Sequence, residues 1–184
     1  MRVRCKINNI YQIQNSEILE RIQPRYPSSE GNEYVNIGQE YTVYGVLFKK
    51  NYPWYYIMCE ASEQFPIAFP KDLFEVIDDR LSRYWRMGAT KLNQIGNEKH
   101  QYETRLVIKE WSDNPYFYEF LVDADDEEQR MFNKYKKLMD FEYTPSKENQ
   151  ALYRFIFCGC RPKKSLEEIA TLKGVRESKI VHKL

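Results

Sequence analysis

The chain opens on an alternation in which Met1, Val3, Cys5 and Ile7 are separated by Arg2, Arg4 and Lys6. A period of two with one apolar and one charged side is the pattern of a half-buried strand. Tyr41 to Phe48 and Trp54 to Glu60 are rich in β-branched and aromatic residues. They predict two further strands, with Lys49 to Pro53 as the hairpin turn between them. Ile67 to Phe69 predicts a third short strand of this group. Pro70, Lys71 and Asp72 suggest one helical turn before Phe74 to Ile77 closes the sheet. Residues 10–33 give no comparable pattern, and 24–33, "PRYPSSEGNE", is loop by its Pro, Ser and Gly content.

Short strands, tight turns and a late helical turn together predict a small SH3-like barrel over residues 1–78. Residues 79–143 change character. After "DDRLSRYW" and the polar stretch "NQIGNEKHQ", a strand is expected over Tyr102 to Trp111. Ser112, Asp113 and Asn114 offer caps ahead of Pro115 at a first helical position, so Tyr116 to Val122 predicts a short aromatic helix. A longer helix should begin in the acidic run Asp123 to Glu128, where negative charge favours a helix N-terminus. Its Met131, Phe132, Tyr135, Leu138 and Met139 recur at the helical period.

Residues 144–184 read as helical, with Cys158 to Lys164 as a connection. Thr144 or Ser146 can cap a helix holding Ala151, Leu152, Phe155 and Ile156. Ser165 with Glu168 forms a capping box, Gly174 stands where a C-cap glycine belongs, and Arg176 to Leu184 is the last helix. The expected class is α+β: a β-rich front, a middle of strand and helices packed on it, and a basic three-helix segment.

Charge sharpens that division. The whole chain carries a net of only +1, which argues against a general polyanion binder. Residues 144–184 hold nine Lys/Arg and four Asp/Glu, a net of +5. This leaves 19 of the 28 basic and 23 of the 27 acidic residues to 1–143, a net of −4. An acidic body with a basic tail piece points to different partners for the two parts. No apolar stretch approaches a membrane span, and the charged start is unlike a secretory leader. A cytoplasmic protein is expected.

Candidate chemistry is sparse. Cys158 and Cys160 have no second ligand pair at zinc-site spacing, and Cys5 and Cys59 sit in strand patterns; neither a metal nor another cofactor is expected. His100 and His182 lack a nucleophile at a recognisable spacing, and seven glycines form no phosphate loop. An enzyme is not expected. "DADDEE" at 123–128 resembles the start of a calcium loop but lacks its central glycine and closing glutamate. It reads as a helix cap, and Asp123, Asp125, Asp126, Glu127 and Glu128 also form a negative patch suited to a basic partner. The aromatics Trp54, Tyr55 and Tyr56 are a second candidate contact surface. The same cluster could stack single-stranded nucleic acid, but only Lys49 and Lys50 lie nearby to hold phosphates.

The last twenty residues, "SLEEIATLKGVRESKIVHKL", place small Ala170 at a helix crossing and Gly174 at a turn. Leu166, Ile169, Val175 and Ile180 form a packing set. This stretch resembles the helix-turn-helix of bacterial regulators and sigma-factor DNA-binding regions. The resemblance implies that Glu177, Ser178 and His182 reach base edges while Arg176, Lys179 and Lys183 meet phosphates of duplex DNA. In the body, "PKDLFEVIDDRLSRYW", following the strands and preceding an acid-capped helix pair, resembles small bacterial proteins with an SH3-like front and a helical back. Some of these are toxin-immunity proteins. That resemblance implies a non-enzymatic blocker whose acidic, aromatic face covers the active site of a basic protein toxin such as a nuclease, and it is the first expectation. A DNA-binding regulator or phage-related adaptor is the alternative.

Overall fold

The computed structural model describes residues 1–25, 34–49, 51–60, 62–91 and 102–144. The chain divides into two compact units, Met1–Tyr143 and Thr144–Leu184, and the description below is of the first. The expected helices of 146–184, the hairpin residue Lys50, most of the 24–33 loop and the polar stretch before Tyr102 lie outside the described residues.

The unit is α+β. Its antiparallel sheet has seven strands: β1 (Arg2–Cys5), β2 (Glu40–Lys49), β3 (Tyr52–Cys59), β4 (Ser62–Pro70), β5 (Phe74–Asp78), β6 (Trp85–Lys91) and β7 (Tyr102–Ile108). Four helices accompany them: α1 (Ser16–Ile22), α2 (Lys109–Asp113), α3 (Phe117–Val122) and α4 (Asp126–Glu142). The predicted strands of the front are all present, and a single 3-10 turn, Lys71–Leu73, stands where the helical turn was expected.

The barrel is not closed. Hydrogen bonding runs β4-β3-β2-β1-β5, with β7 joining β2 and β6 joining β7, so β4, β5 and β6 are each paired on one side among the described residues. The cause is the length of β2. Its first residues pair with β1 (Val3↔Tyr41, Arg4↔Glu40) and its last with β7 (Val46↔Leu106, Phe48↔Thr104), so one strand carries two successive neighbours along one edge. Tyr44 lies at the handover, where the register against β3 also shifts. Its carbonyl is met by the indole N–H of Trp85 at 3.2 Å, which satisfies a buried acceptor between the two ladders. Gly45 follows for a steric reason: a Cβ there would stand 2.7 Å from Val107 Cγ1.

Prolines fall where a ladder tolerates them. Pro66 and Pro70 are on β4, which pairs only with β3, and a missing N–H costs least on an edge strand. That edge is also covered, since the Tyr118 hydroxyl donates to the Pro66 carbonyl at 2.9 Å.

Two aromatic clusters hold the sheet. Tyr41, Tyr55 and Phe69 each bring a ring to within 6.2 to 6.4 Å of Phe74. Elsewhere, Trp111 of α2 stacks on Tyr118 (5.3 Å, 8°) and Phe117 (5.8 Å, 20°) and meets Tyr56 of β3 at 4.7 Å. Burying one indole removes about 200 Å² from water, about 5 kcal/mol at about 25 cal/mol/Å². The second cluster therefore fixes α2 and α3 on the sheet. α4 is held by Phe132 against Tyr44 (5.7 Å) and by the Tyr44 hydroxyl, which donates to Asp140. Its far end binds the segment before β6: Ser82 Oγ donates to Glu142 at 2.7 Å, and the Tyr143 hydroxyl donates to the Arg80 carbonyl at 3.0 Å.

Two expectations need correcting. The strand expected to reach Trp111 ends at Ile108, because Lys109–Asp113 turns into α2, where Lys109 pairs with Asp113 one helical turn on at 2.7 Å. Pro115 is not the first helical residue of α3. Asn114 accepts the Tyr116 N–H at 2.9 Å and makes a turn through Pro115, so the helix begins at Phe117.

Candidate functional site: an acidic and aromatic corner

The junction of α3 and α4 is built by two backbone devices that share one residue. At the end of α3 the Asp125 N–H donates to the Phe120 carbonyl (2.9 Å) and the Ala124 N–H to the Leu121 carbonyl (3.3 Å). This is the six-to-one and five-to-two pattern of a Schellman ending, whose C′ residue must be left-handed. Ala124 occupies it with φ +63°, a conformation that glycine adopts freely and alanine does not. Asp125 then caps α4, its Oδ1 accepting the Glu127 N–H at 3.0 Å. Gln129 ties the corner together by donating to the Leu121 carbonyl at 2.9 Å.

The corner displays charge and aromatic surface together. Between Glu119 and Glu128 stand six carboxylates and no Lys or Arg. Asp123, Asp125, Asp126 and Glu127 are exposed and Glu128 is half-buried. None of the six is ion-paired with a described Lys or Arg. The ion pairs of this unit lie elsewhere, as in Arg2–Glu40, Arg4–Glu75, Arg83–Glu142 and Lys136–Asp140. The Glu127 N–H holds the Asp125 carboxyl below the usual Asp range. Burial, and then a hydrogen bond with Asp125, pushes Glu128 above the usual Glu range. Beside them Tyr116 is 56% exposed and Phe120 44%, with ring centroids 6.3 Å apart, and Val122 is exposed as well. Large apolar side chains grouped in water mark contact surfaces more often than single ones do.

The other expected contact surface does not form. Trp54 and Tyr56 are only 3% and 7% exposed, Trp54 edge-on to Tyr52 and Tyr56 against Trp111 and Tyr118. Tyr55, half-buried, packs on Phe74. The aromatic surface comes from Tyr116 and Phe120 instead. Their sign in the sequence is an i, i+4 aromatic pair from the cap of α3 to its second turn, next to the buried Phe117 and Leu121. The residues expected to face DNA, Arg176, Glu177, Ser178, Lys179, His182 and Lys183, lie outside the described residues, as do Cys158 and Cys160. Cys5 and Cys59 are buried, the Cys5 thiol donating to the Ile7 carbonyl and pushed up by burial.

Among the described residues no group of three or more His, Cys, Asp or Glu is arranged to hold a metal ion, and no helix is long and apolar enough to cross a membrane. Comparison with protein-family models, curated proteins and solved structures finds no match to this chain.

Proposed function

We propose that this chain is a cytoplasmic, non-enzymatic binding protein of the toxin-immunity type, which neutralises a basic protein toxin by covering its active site with the α3–α4 corner. The observation that carries the reading is the placement of six carboxylates, none ion-paired with a described Lys or Arg, beside the exposed rings of Tyr116 and Phe120. Unpaired carboxylates speed encounter with a basic surface and reject acidic ones. Exposed aromatic anchors supply the contact energy that keeps a complex together. A nuclease active site, basic because it binds phosphates, is a suitable counterpart. The SH3-like character of the front and the three-helix organisation of 144–184 belong to the same proposal.

The net charge of +5 in residues 144–184 favours a second reading, binding of duplex DNA by the helix-turn-helix-like tail.

Both readings are tested by using the full chain and its Tyr116→Ala/Phe120→Ala variant as baits, identifying proteins held by the first alone, and assaying whether the chain inhibits them. A basic protein that is lost with the variant and inhibited by the wild-type chain supports the corner. Identical captures from both baits contradict it. Duplex binding that needs residues 144–184 and weakens steeply with salt would favour the second reading.

A further inference from the structure

Away from the corner, the chain entering β2 and the turn joining β3 to β4 enclose a cleft of about 530 Å³. This volume lies within the range of about 300 to 1,000 Å³ usual for small-ligand sites. Three carboxylates line it, Glu40, Glu60 and Glu63, and none of the described lining residues is Lys or Arg.

The three are not equivalent. Glu40 is neutralised from β1 by Arg2 at 2.6 Å and Arg4 at 2.9 Å. Glu60 accepts one hydrogen bond, from Asn36 Nδ2 at 3.1 Å. Glu63 is exposed, and neither Glu60 nor Glu63 is ion-paired with a described base. The rest of the wall is mixed: Tyr41, Tyr44, Met58 and Cys59 stand with the polar Asn36, Gln39, Thr42 and Ser62. Tyr41 is fixed edge-on to Phe74 and its hydroxyl accepts the Asn36 N–H at 3.0 Å. Met58 is half-buried beside it. The turn bearing Asn36 also exposes Tyr34 and Ile37.

A hollow with an aromatic and thioether patch, Tyr41 and Met58, and two carboxylates not ion-paired with a described base repels anions. It suits a cation on an apolar stem, with the stem against Tyr41 and Met58 and the head at Glu60 and Glu63. We propose that this cleft binds an alkylammonium or alkylguanidinium group. The chemistry is shared by two sources, a free diamine and the Lys or Arg side chain of a polypeptide, and the site does not depend on the corner.

The test is calorimetric titration of the full chain at low salt with cadaverine, with the Nα-acetyl N-methylamides of lysine and arginine, and with glutarate as the anionic control. One cation series is expected to bind at 1:1 and glutarate not at all. Glu60→Gln/Glu63→Gln should weaken binding by about tenfold or more, while Asp126→Asn/Glu127→Asn at the corner leaves it unchanged. Tighter binding of cadaverine identifies a free amine, and tighter binding of the blocked amino acids identifies a polypeptide side chain. Amide shifts mapped by NMR on the unaltered chain should fall in 36–44 and 58–63. No binding of any cation, binding indifferent to Glu60 and Glu63, or shifts centred elsewhere would overturn the proposal.

Discussion

Along β1, Arg4 lies opposite Glu40 of β2 on one side and Glu75 of β5 on the other, and it bonds both at 2.9 Å. At the α3–α4 corner six carboxylates stand with no described basic partner. Both regions belong to the same 143-residue unit and both are charged, but the first satisfies itself and the second does not. In the ladder the strand register places opposite charges face to face, and the pairs help to specify it. At the corner the charges are held by a Schellman ending, the Asp125 side-chain cap and the Gln129 side chain. Among the described residues no Lys or Arg ion-pairs with them. A self-satisfied charge pattern serves the fold, whereas on the proposed reading the unsatisfied one beside exposed aromatics serves a partner.

The largest expected effect comes from removing the support beneath the corner. Trp111→Ala should cost about 3–5 kcal/mol, read as a shift in the denaturant midpoint, because the indole joins α2 and α3 to Tyr56 of the sheet. A loss under about 1 kcal/mol would mean that the corner is not mounted on this cluster. Next in size, and opposite in sign, Ala124→Gly should stabilise by about 1 kcal/mol, since it relieves a left-handed alanine. Destabilisation in the same denaturation experiment would refute the Schellman geometry.

Acid should act on Asp78 and Glu128 with opposite sign. Arg80 holds Asp78 down to about 2 by hydrogen bonding. The stability from this pair is therefore complete above the ordinary Asp value of 3.8 and is lost as pH falls through about 2. Glu128, raised by burial, holds its proton more tightly folded than unfolded, so its own contribution grows as pH falls through the raised value towards 4.5. Asp78→Asn should flatten the acid limb of a stability–pH profile, and Glu128→Gln should remove the gain. The same slope in wild type and both variants would contradict the contrast.

The smallest effect is at Asp123, the C-cap of α3, where negative charge meets the negative end of the helix and four carboxylates follow. Asp123→Asn should raise the melting midpoint slightly, whereas Glu40→Gln, which strips Arg2 and Arg4 of their partner, should lower it. Equal shifts in both would erase the distinction.

Strand content and the acid-capped helix were legible in the sequence because each is a local pattern. The alternation at the start, the aromatic runs of β2 and β3, and the Asp125 cap all lie within a few residues. Pairing was not legible. Nothing local says that ten-residue β2 changes partner at Tyr44, and that change opens the expected barrel. β6, "WRMGATK", went unpredicted because it carries little β-branched or alternating signal and is held from outside by β7 and by the Trp85 indole. α1 is short and starts from an ordinary Asn15 cap, too weak a pattern to stand out. The acidic half of the candidate site was read from composition. The aromatic half is expected on Trp54, Tyr55 and Tyr56, because a strand whose rings are buried looks the same in sequence as one displaying them.

On the proposed reading the corner, not the paired ladder, docks a basic partner. An NMR titration of the full chain with a Lys/Leu amphipathic helical peptide and its Glu/Leu counterpart tests this. Shifts should be confined to 116–128 with the basic peptide, diminished by added salt and by Tyr116→Ala/Phe120→Ala, and absent with the acidic one. No response to the basic peptide, or one centred on Arg2, Arg4, Glu40 and Glu75, would contradict it.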